Sequence, residues 1–301
     1  MANLKEVRER IKSVINTQQI TKAMKMVSAA KLRRAQGAIV QMRPYSNKLN
    51  QMLDNILANT DGATSIEYAK VREVHSVLVV VVTSNRGLCG AFNANVSKEA
   101  LATIEQHDDI RKAGKLTVMC IGKKGYDFLK RRVAGLHFQN DHIALFSNLA
   151  FDNTVKVANE VMDSFTSGKY DKVVVCYAQF RNAAVQNYKA EQFLPVASLQ
   201  AAPAVATNAK ETQKRADYIF EPSTDAVLKQ LVPSILQTQF QKFLLDSHAS
   251  EHGARMTSMD KASDNANELL KELRINYNKA RQESITKELL EIVAGSAALD
   301  G

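Results

Sequence analysis

The feature that most constrains this chain is a spacing near its C-terminal end. Stepping alternately by three and four from Leu228 gives Leu231, Ile235, Thr238, Lys242, Leu245, Ala249, His252, Met256, Met259, Ser263, Ala266, Leu270, Leu273, Tyr277 and Ala280. An apolar stripe of that period, held over many turns with few polar interruptions, is a coiled-coil seam. Gly253 is the only glycine between Ser223 and Gly295. About 75 helical residues at 1.5 Å each span roughly 110 Å. A globule of 301 residues has no need of such a helix, so it must find a partner along its seam.

The N-terminal segment supplies one. The same count from Leu4 runs through Val7, Ile11, Val14, Gln18, Thr21, Lys25, Ser28, Leu32, Ala35, Ile39, Met42, Ser46, Leu49, Leu53 and Ile56 without a slip of phase. Four consecutive positions, Gln18 to Ser28, are polar, while Ile20, Met24 and Val27 form a displaced stripe. A lysine on a seam weakens a simple coiled coil. Residues 16–30 are therefore read as leaving the partner helix to meet another protein; the alternative is a locally loose seam. Both helices are rooted in the middle of the chain, so they must pair antiparallel and project from the same side of it.

Charge is unevenly placed. Residues 1–48 hold eleven Lys and Arg against two Glu, as much net positive charge as the +9 of the whole chain. The first helix should then face acidic partners, unless it is only a solvated basic face. Nucleic acid is one candidate, and a basic coiled-coil nucleic-acid-binding protein is the alternative reading of the chain. Yet residues 1–44 contain no aromatic, and the chain has no Trp on which single strands could stack. No apolar run is long enough to cross a bilayer. The charged opening MANLKEVRER is not expected to be a secretory signal. Three scattered cysteines, Cys89, Cys120 and Cys176, imply neither a disulfide framework nor a metal spacing and fit a reducing compartment.

The middle of the chain changes period. HSVLVVVVT (75–83), KLTVMCI (115–121) and KVVVCYAQF (172–180) are continuous β-branched runs, the pattern of strands covered on both faces. Helices are predicted over 91–107, 124–132 and 152–167. Residues 137–146 read as an edge strand and loop, and 186–193 as the return of a hairpin. Together these predict an α/β fold: an open doubly wound, Rossmann-like sheet domain over 75–195, plus a long antiparallel two-helix coiled coil from 1–59 and 223–301. Residues 60–74 and 196–222 connect the two. Pro44 and Pro233 mark expected bends.

Candidate chemistry is sparse. Arg86-Gly-Leu-Cys-Gly90 after a buried strand invites a phosphate-binding reading, but it lacks both G-x-G-x-x-G and G-K-[ST] and reads better as a tight turn. Cys89 could be exposed in it, with no histidine nearby in sequence to activate it. His248-Ala-Ser-Glu-His252 matches the H-x-x-E-H pattern of some zinc peptidases. His252 lies on the seam, however, and no cleft is evident, so a structural role is favoured. No cofactor, metal or catalytic residue is expected. The last helical turns, 292–299, are apolar and uncharged. An exposed apolar end calls for an apolar sleeve, the alternative being that it packs back on its own chain.

Four stretches carry a resemblance: ITKELLEIVAGS (285–296), NTQQITKAMKMV (16–27), RGLCGAFN (86–93), and ASEHGARM (249–256) with DNA (264–266). With these motifs the chain resembles the γ-subunit family of the F-type ATP synthases from end to end. The resemblance implies a non-catalytic central-stalk rotor subunit. Such a subunit couples ion-driven rotation of the membrane c ring to conformational change in the β catalytic sites, for ATP synthesis or hydrolysis. The implied partners are the α, β and ε subunits and the c ring, with no nucleic acid. The implied place is peripheral, on the cytoplasmic face of the bacterial inner membrane. By position, Lys22, Met24 and Lys25 would meet the carboxylate-rich lever loop of β. Arg281, Gln282 and Thr286 would meet the β loops that grip the shaft. Tyr218, Phe220 and Glu221 would lie near the c ring and ε, and Ile292, Val293 and Leu299 would sit in an α/β sleeve.

Overall fold

The computed structural model describes residues 4–59, 67–196, 221 and 223–299. Two helices dominate it: α1, Leu4–Asn59, of 56 residues, and α6, Thr224–Leu299, of 76 residues. Each continues past its proline, Pro44 or Pro233. Compactness divides the chain into two units, residues 1–29 with 255–301, and residues 30–254, so the division falls inside both long helices.

The larger unit holds a five-stranded sheet ordered β3-β2-β1-β4-β5. Its strands are β1 (Val77–Val82), β2 (Leu116–Ile121), β3 (His137–Gln139), β4 (Lys172–Phe180) and β5 (Gln186–Leu194). The first four are parallel, and β5 closes the edge antiparallel to β4. Every residue of β1 is buried, as its unbroken valine run requires of a central strand. Its side chains divide alternately between two cores. Leu78, Val80 and Val82 pack with Val161, Phe165, Phe240, Phe243 and the far end of α1 at Leu49 to Ile56. Val77, Val79 and Val81 pack with Phe92, Val96, Ala100 and Leu129. Helices α2 (Phe92–Glu105) and α4 (Lys123–Arg132) thus cover one face, and α5 (Phe151–Thr166) with parts of α1 and α6 covers the other.

The predicted fold class stands, with local differences. The helix expected over 91–107 ends at Glu105, and a separate α3, Asp108–Lys112, follows. The Asp108 carboxylate holds Arg111 and Lys112 at that turn. The connecting stretches 60–66 and 197–220 lie outside the described residues.

Where β4 outruns its pairing with β1, α6 takes over its backbone groups. Ala178 N donates to Ser247 Oγ at 3.0 Å, and Ser250 Oγ donates to Ala178 O at 3.1 Å. Two serines on a buried helix face are explained by this, since unpaired backbone groups are costly there. Gly253 continues that face: a Cβ on it would lie 3.2 Å from Ala183 Cα, at the hairpin between β4 and β5.

Candidate functional surfaces

The smaller unit is a helix pair, and its contacts run antiparallel. Arg8 Nη2 donates to the Tyr277 hydroxyl at 2.8 Å, with the guanidinium 5.8 Å from that ring's centroid. Further along α1, Gln18 Nε2 donates to Asn267 Oδ1, Thr21 Oγ1 lies 2.8 Å from Ser263 Oγ, and Lys25 Nζ pairs with Asp260 Oδ1. Each step up α1 is matched, to within one residue, by a step down α6. The expectation that residues 16–30 leave the partner helix is corrected here: Gln18, Thr21 and Lys25 stay on α6, each opposite a polar residue. Thr21 and Ser28 are buried, as are Met259, Ser263 and Ala266 across from them in sequence order.

The opposite face of this part of α1 is apolar and open. Ile20, Met26 and Val27 are 59%, 71% and 58% exposed. Lys22 is exposed beside them, and Met24 is half-buried. On α6, Arg281, Gln282 and Thr286 are exposed, as are Ile285, Leu289, Leu290, Ile292 and Val293. Leu299 ends the helix. In the larger unit Glu221 is exposed, while Tyr218 and Phe220 lie outside the described residues.

The chemical candidates resolve into structure. At the Arg86-Gly90 loop, Leu88 and Gly90 take positive φ (66° and 57°), making a sharp turn. Its polar groups are engaged by its own side chains. Asn93 Oδ1 accepts from Ser84 N at 3.0 Å, Ser84 Oγ donates to Arg86 O at 2.6 Å, and Asn93 Nδ2 donates to Cys89 Sγ at 3.1 Å. Cys89 is buried, contrary to the exposure the sequence allowed. The neighbouring β2 turn is packed against this one: a Cβ on Gly122, whose φ is +106°, would stand 2.0 Å from Thr83 O. Thr83 Oγ1 also accepts from Gly125 N at 2.8 Å. These contacts within the chain tie the turns after β1 and β2 to each other.

His248 and His252 have their Nε2 atoms 3.2 Å apart, and the His248 ring stacks on Phe146. Burial, and secondarily the charge of Lys31, lowers His248 to a pKa of about 4, which keeps it neutral. Among the described residues no group of three or more His, Cys, Asp or Glu is placed to hold a metal. Burial pushes the Cys120 and Cys176 thiols up to about 12, away from thiolate chemistry. Asp246 is buried, and that burial raises its carboxyl to about 6 against the opposing pull of Lys242 and Arg43. A cleft of about 320 Å³ lies between the far halves of the long helices, lined by Leu49, Leu53, Val232, Leu236 and Lys242 among others.

The described residues form a doubly wound sheet and an antiparallel helix pair, with exposed apolar residues on both long helices. The family of ATP synthase proteins matches over residues 3–299. The ATP synthase gamma chain of Cytophaga hutchinsonii is 52% identical over 303 residues, covering 100% of both chains. That of Flavobacterium psychrophilum is 50% identical, again over 100% of each. The fold is that of a chain in the Euglena gracilis mitochondrial ATP synthase assembly of OSCP, F1 and c-ring, with a TM-score of 0.63 at 21% identity, covering 98% of this chain and 94% of that one. The chain belongs to the ATP synthase gamma-chain family, whose members are non-catalytic subunits of the ATP synthase complex. These relationships give no support to the nucleic-acid-binding alternative.

Proposed function

We propose that this chain is the shaft of the central stalk, carrying rotation of a membrane c ring to the β catalytic sites, where ATP is made or hydrolysed. The observation that carries this reading is the end-to-end match to gamma chains at 52% identity, on a chain whose long helices pair antiparallel. Residues 1–59 and 223–301 form the shaft, residues 75–195 the globular domain, and 60–74 and 196–222 the connections. The physical basis is lateral stiffness, which two paired helices supply better than one.

In this reading the exposed face with Ile20, Lys22 and Met24 meets the lever loops of β, with the basic charge of α1 drawn to their carboxylates. Lys25 reaches the same loops only by the flank that Asp260 leaves free. Arg281, Gln282 and Thr286 meet the gripping loops of β. The apolar end with Ile292, Val293 and Leu299 sits in a sleeve of α and β subunits. Tyr218, Phe220 and Glu221 lie toward the c ring and ε. The complex holds the chain peripherally at the cytoplasmic face of the bacterial inner membrane. Among the described residues no helix is long and apolar enough to cross a membrane.

The test is to isolate the native complex by a tag on this chain and to measure ATP-driven ion pumping with and without the chain. Co-isolation of α, β, ε and c subunits, with pumping that depends on this chain, is the expected result. Isolation without α and β subunits would sink the reading.

A further inference from the structure

The polar stretch of the helix pair is built, not merely tolerated. Three consecutive contacts, Gln18 to Asn267, Thr21 to Ser263 and Lys25 to Asp260, join polar side chains across the seam. Thr21 and Ser263 are 8% and 4% exposed, and each hydroxyl is also held by a carbonyl of its own helix, Gln18 O and Met259 O, both at 2.9 Å. Sliding α6 by one heptad would set Thr21 against Met256 or Leu270, and Lys25 against Gly253 or Asn267. Turning α1 on its axis would break the same contacts, because hydrogen bonds are directional where apolar packing is not. Polar residues at a seam are the best-attested means of fixing how two helices sit together.

The consequence lies on the other side of α1. Ile20 and Val27 stand opposite the polar seam, and Met26 is also turned out to solvent. Their direction is set by the rotation of α1 against α6. We propose that Lys25 and Asp260 are positioning residues for rotary coupling: their ion pair, with the adjacent polar contacts, fixes the rotation of α1 and so the presentation of its exposed apolar face. Lys25 then acts on coupling first through Asp260, with only its free flank left for the lever loops. This rests on the shaft reading above.

The experiment is a charge-swap cycle. Lys25→Glu, Asp260→Lys and the two together are assembled into the complex, and ions pumped per ATP hydrolysed are measured beside the Tm of the isolated chain. Each single reversal sets like charges opposite each other and should lower the coupling ratio roughly two- to fivefold, the factor of an exposed pair. The double variant should recover to near the wild-type ratio. The pair is 41% and 49% exposed, so Tm should move little in all three; a purely structural role would move Tm and coupling together. Where a single reversal prevents assembly, the yield of complex is read in the same cycle, and recovery in the double variant supports the pair. Losses that add in the double variant, or single reversals that leave coupling intact, overturn the proposal. A wild-type chain that fails to support pumping overturns the shaft reading and this proposal with it, and is distinguishable because it appears before any variant is made.

Discussion

The C-terminal helix lives in two surroundings. Between Leu228 and Ala254 it is buried on several sides at once, through Leu231, Val232, Leu236, Phe240, Phe243, Leu244, Ser247 and Ser250. Between Arg255 and Ala280 its buried residues thin to one stripe, led by Met259, Ser263, Ala266, Leu270 and Leu273. The first stretch is a core helix of an α/β layer, with three phenylalanines meeting across it: Phe193 with Phe240 and Phe243, and Tyr177 with Phe243 at 4.6 Å. The second is half of a coiled coil with small and polar residues at its seam. One uninterrupted helix can thus serve two kinds of packing, and stability should be concentrated in the first.

The sharpest test of that contrast is a pair of truncations. Phe243→Ala should cost the isolated chain about 3–5 kcal/mol, the range for emptying an aromatic site in a close-packed core. Leu273→Ala, on the single stripe, should cost about 2 kcal/mol, the low end for leucine, because a two-helix seam collapses more readily around a gap. Denaturant melts of both variants check this. Equal losses would erase the distinction.

A second difference is electrostatic. Asp246 lies in the stretch packed on the sheet, with Lys242 on its own helix, Arg43 on α1, and Glu191 and Lys189 on β5 as the charges around it. Its folded carboxyl titrates at about 6, above the ~3.9 of an unfolded aspartate. The folded chain therefore holds this proton more tightly. The contribution is fully present below about pH 4 and is lost as pH rises through about 6. Asp246→Asn should match the wild type near pH 4 and exceed it by about 2–3 kcal/mol at pH 7.5. Buried His248, lowered to about 4, works in the opposite sense. Its contribution is present above pH ~6.5 and is lost as pH falls toward 4, so the comparison is read as the difference between variant and wild type at each pH. A variant no more stable than the wild type at pH 7.5 would mean that the Asp246 carboxylate is well solvated.

The two regions also differ in how far the sequence disclosed them. The heptad count found both long helices, and in the second stretch it named every buried residue but Arg255. In the first stretch it named only part of the buried set, because a helix immersed on several sides has no single stripe: Phe240, Phe243 and Leu244 lie off the counted seam. The count also misjudged Gln18, Thr21 and Lys25. A polar residue looks misplaced when one helix is read alone, and its fitness depends on what stands opposite. Ser263 was on the counted seam of α6, and reading the two seams against each other would have paired it with Thr21. Strand β3, three residues long, and α3, five, are too short to leave a period. The residues proposed to meet partners were named through family resemblance, since exposed side chains such as Arg281 and Thr286 have no packing pattern to betray them.

The smallest effect on the isolated chain is expected at its far end, and there the contrast between regions becomes a contrast between the chain alone and the chain in its complex. Ile292 and Val293 are 67% and 65% exposed. Val293→Asp therefore buries nothing in the isolated chain, and surface substitutions of this kind change stability by no more than about 0.5 kcal/mol. In an apolar sleeve the same carboxylate would lose its water without gaining a partner, which costs several kcal/mol unless it takes up a proton or admits solvent. Assembly should then fall in yield or stability while the isolated chain melts as before. Deleting residues 298–301 should do less harm, since it removes contacts without burying a charge. Melting of the isolated chains and yield of complex, measured side by side for both variants, decide the matter. A Val293→Asp chain that loses stability by itself, as much as in the complex, would mean that this end packs on its own protein.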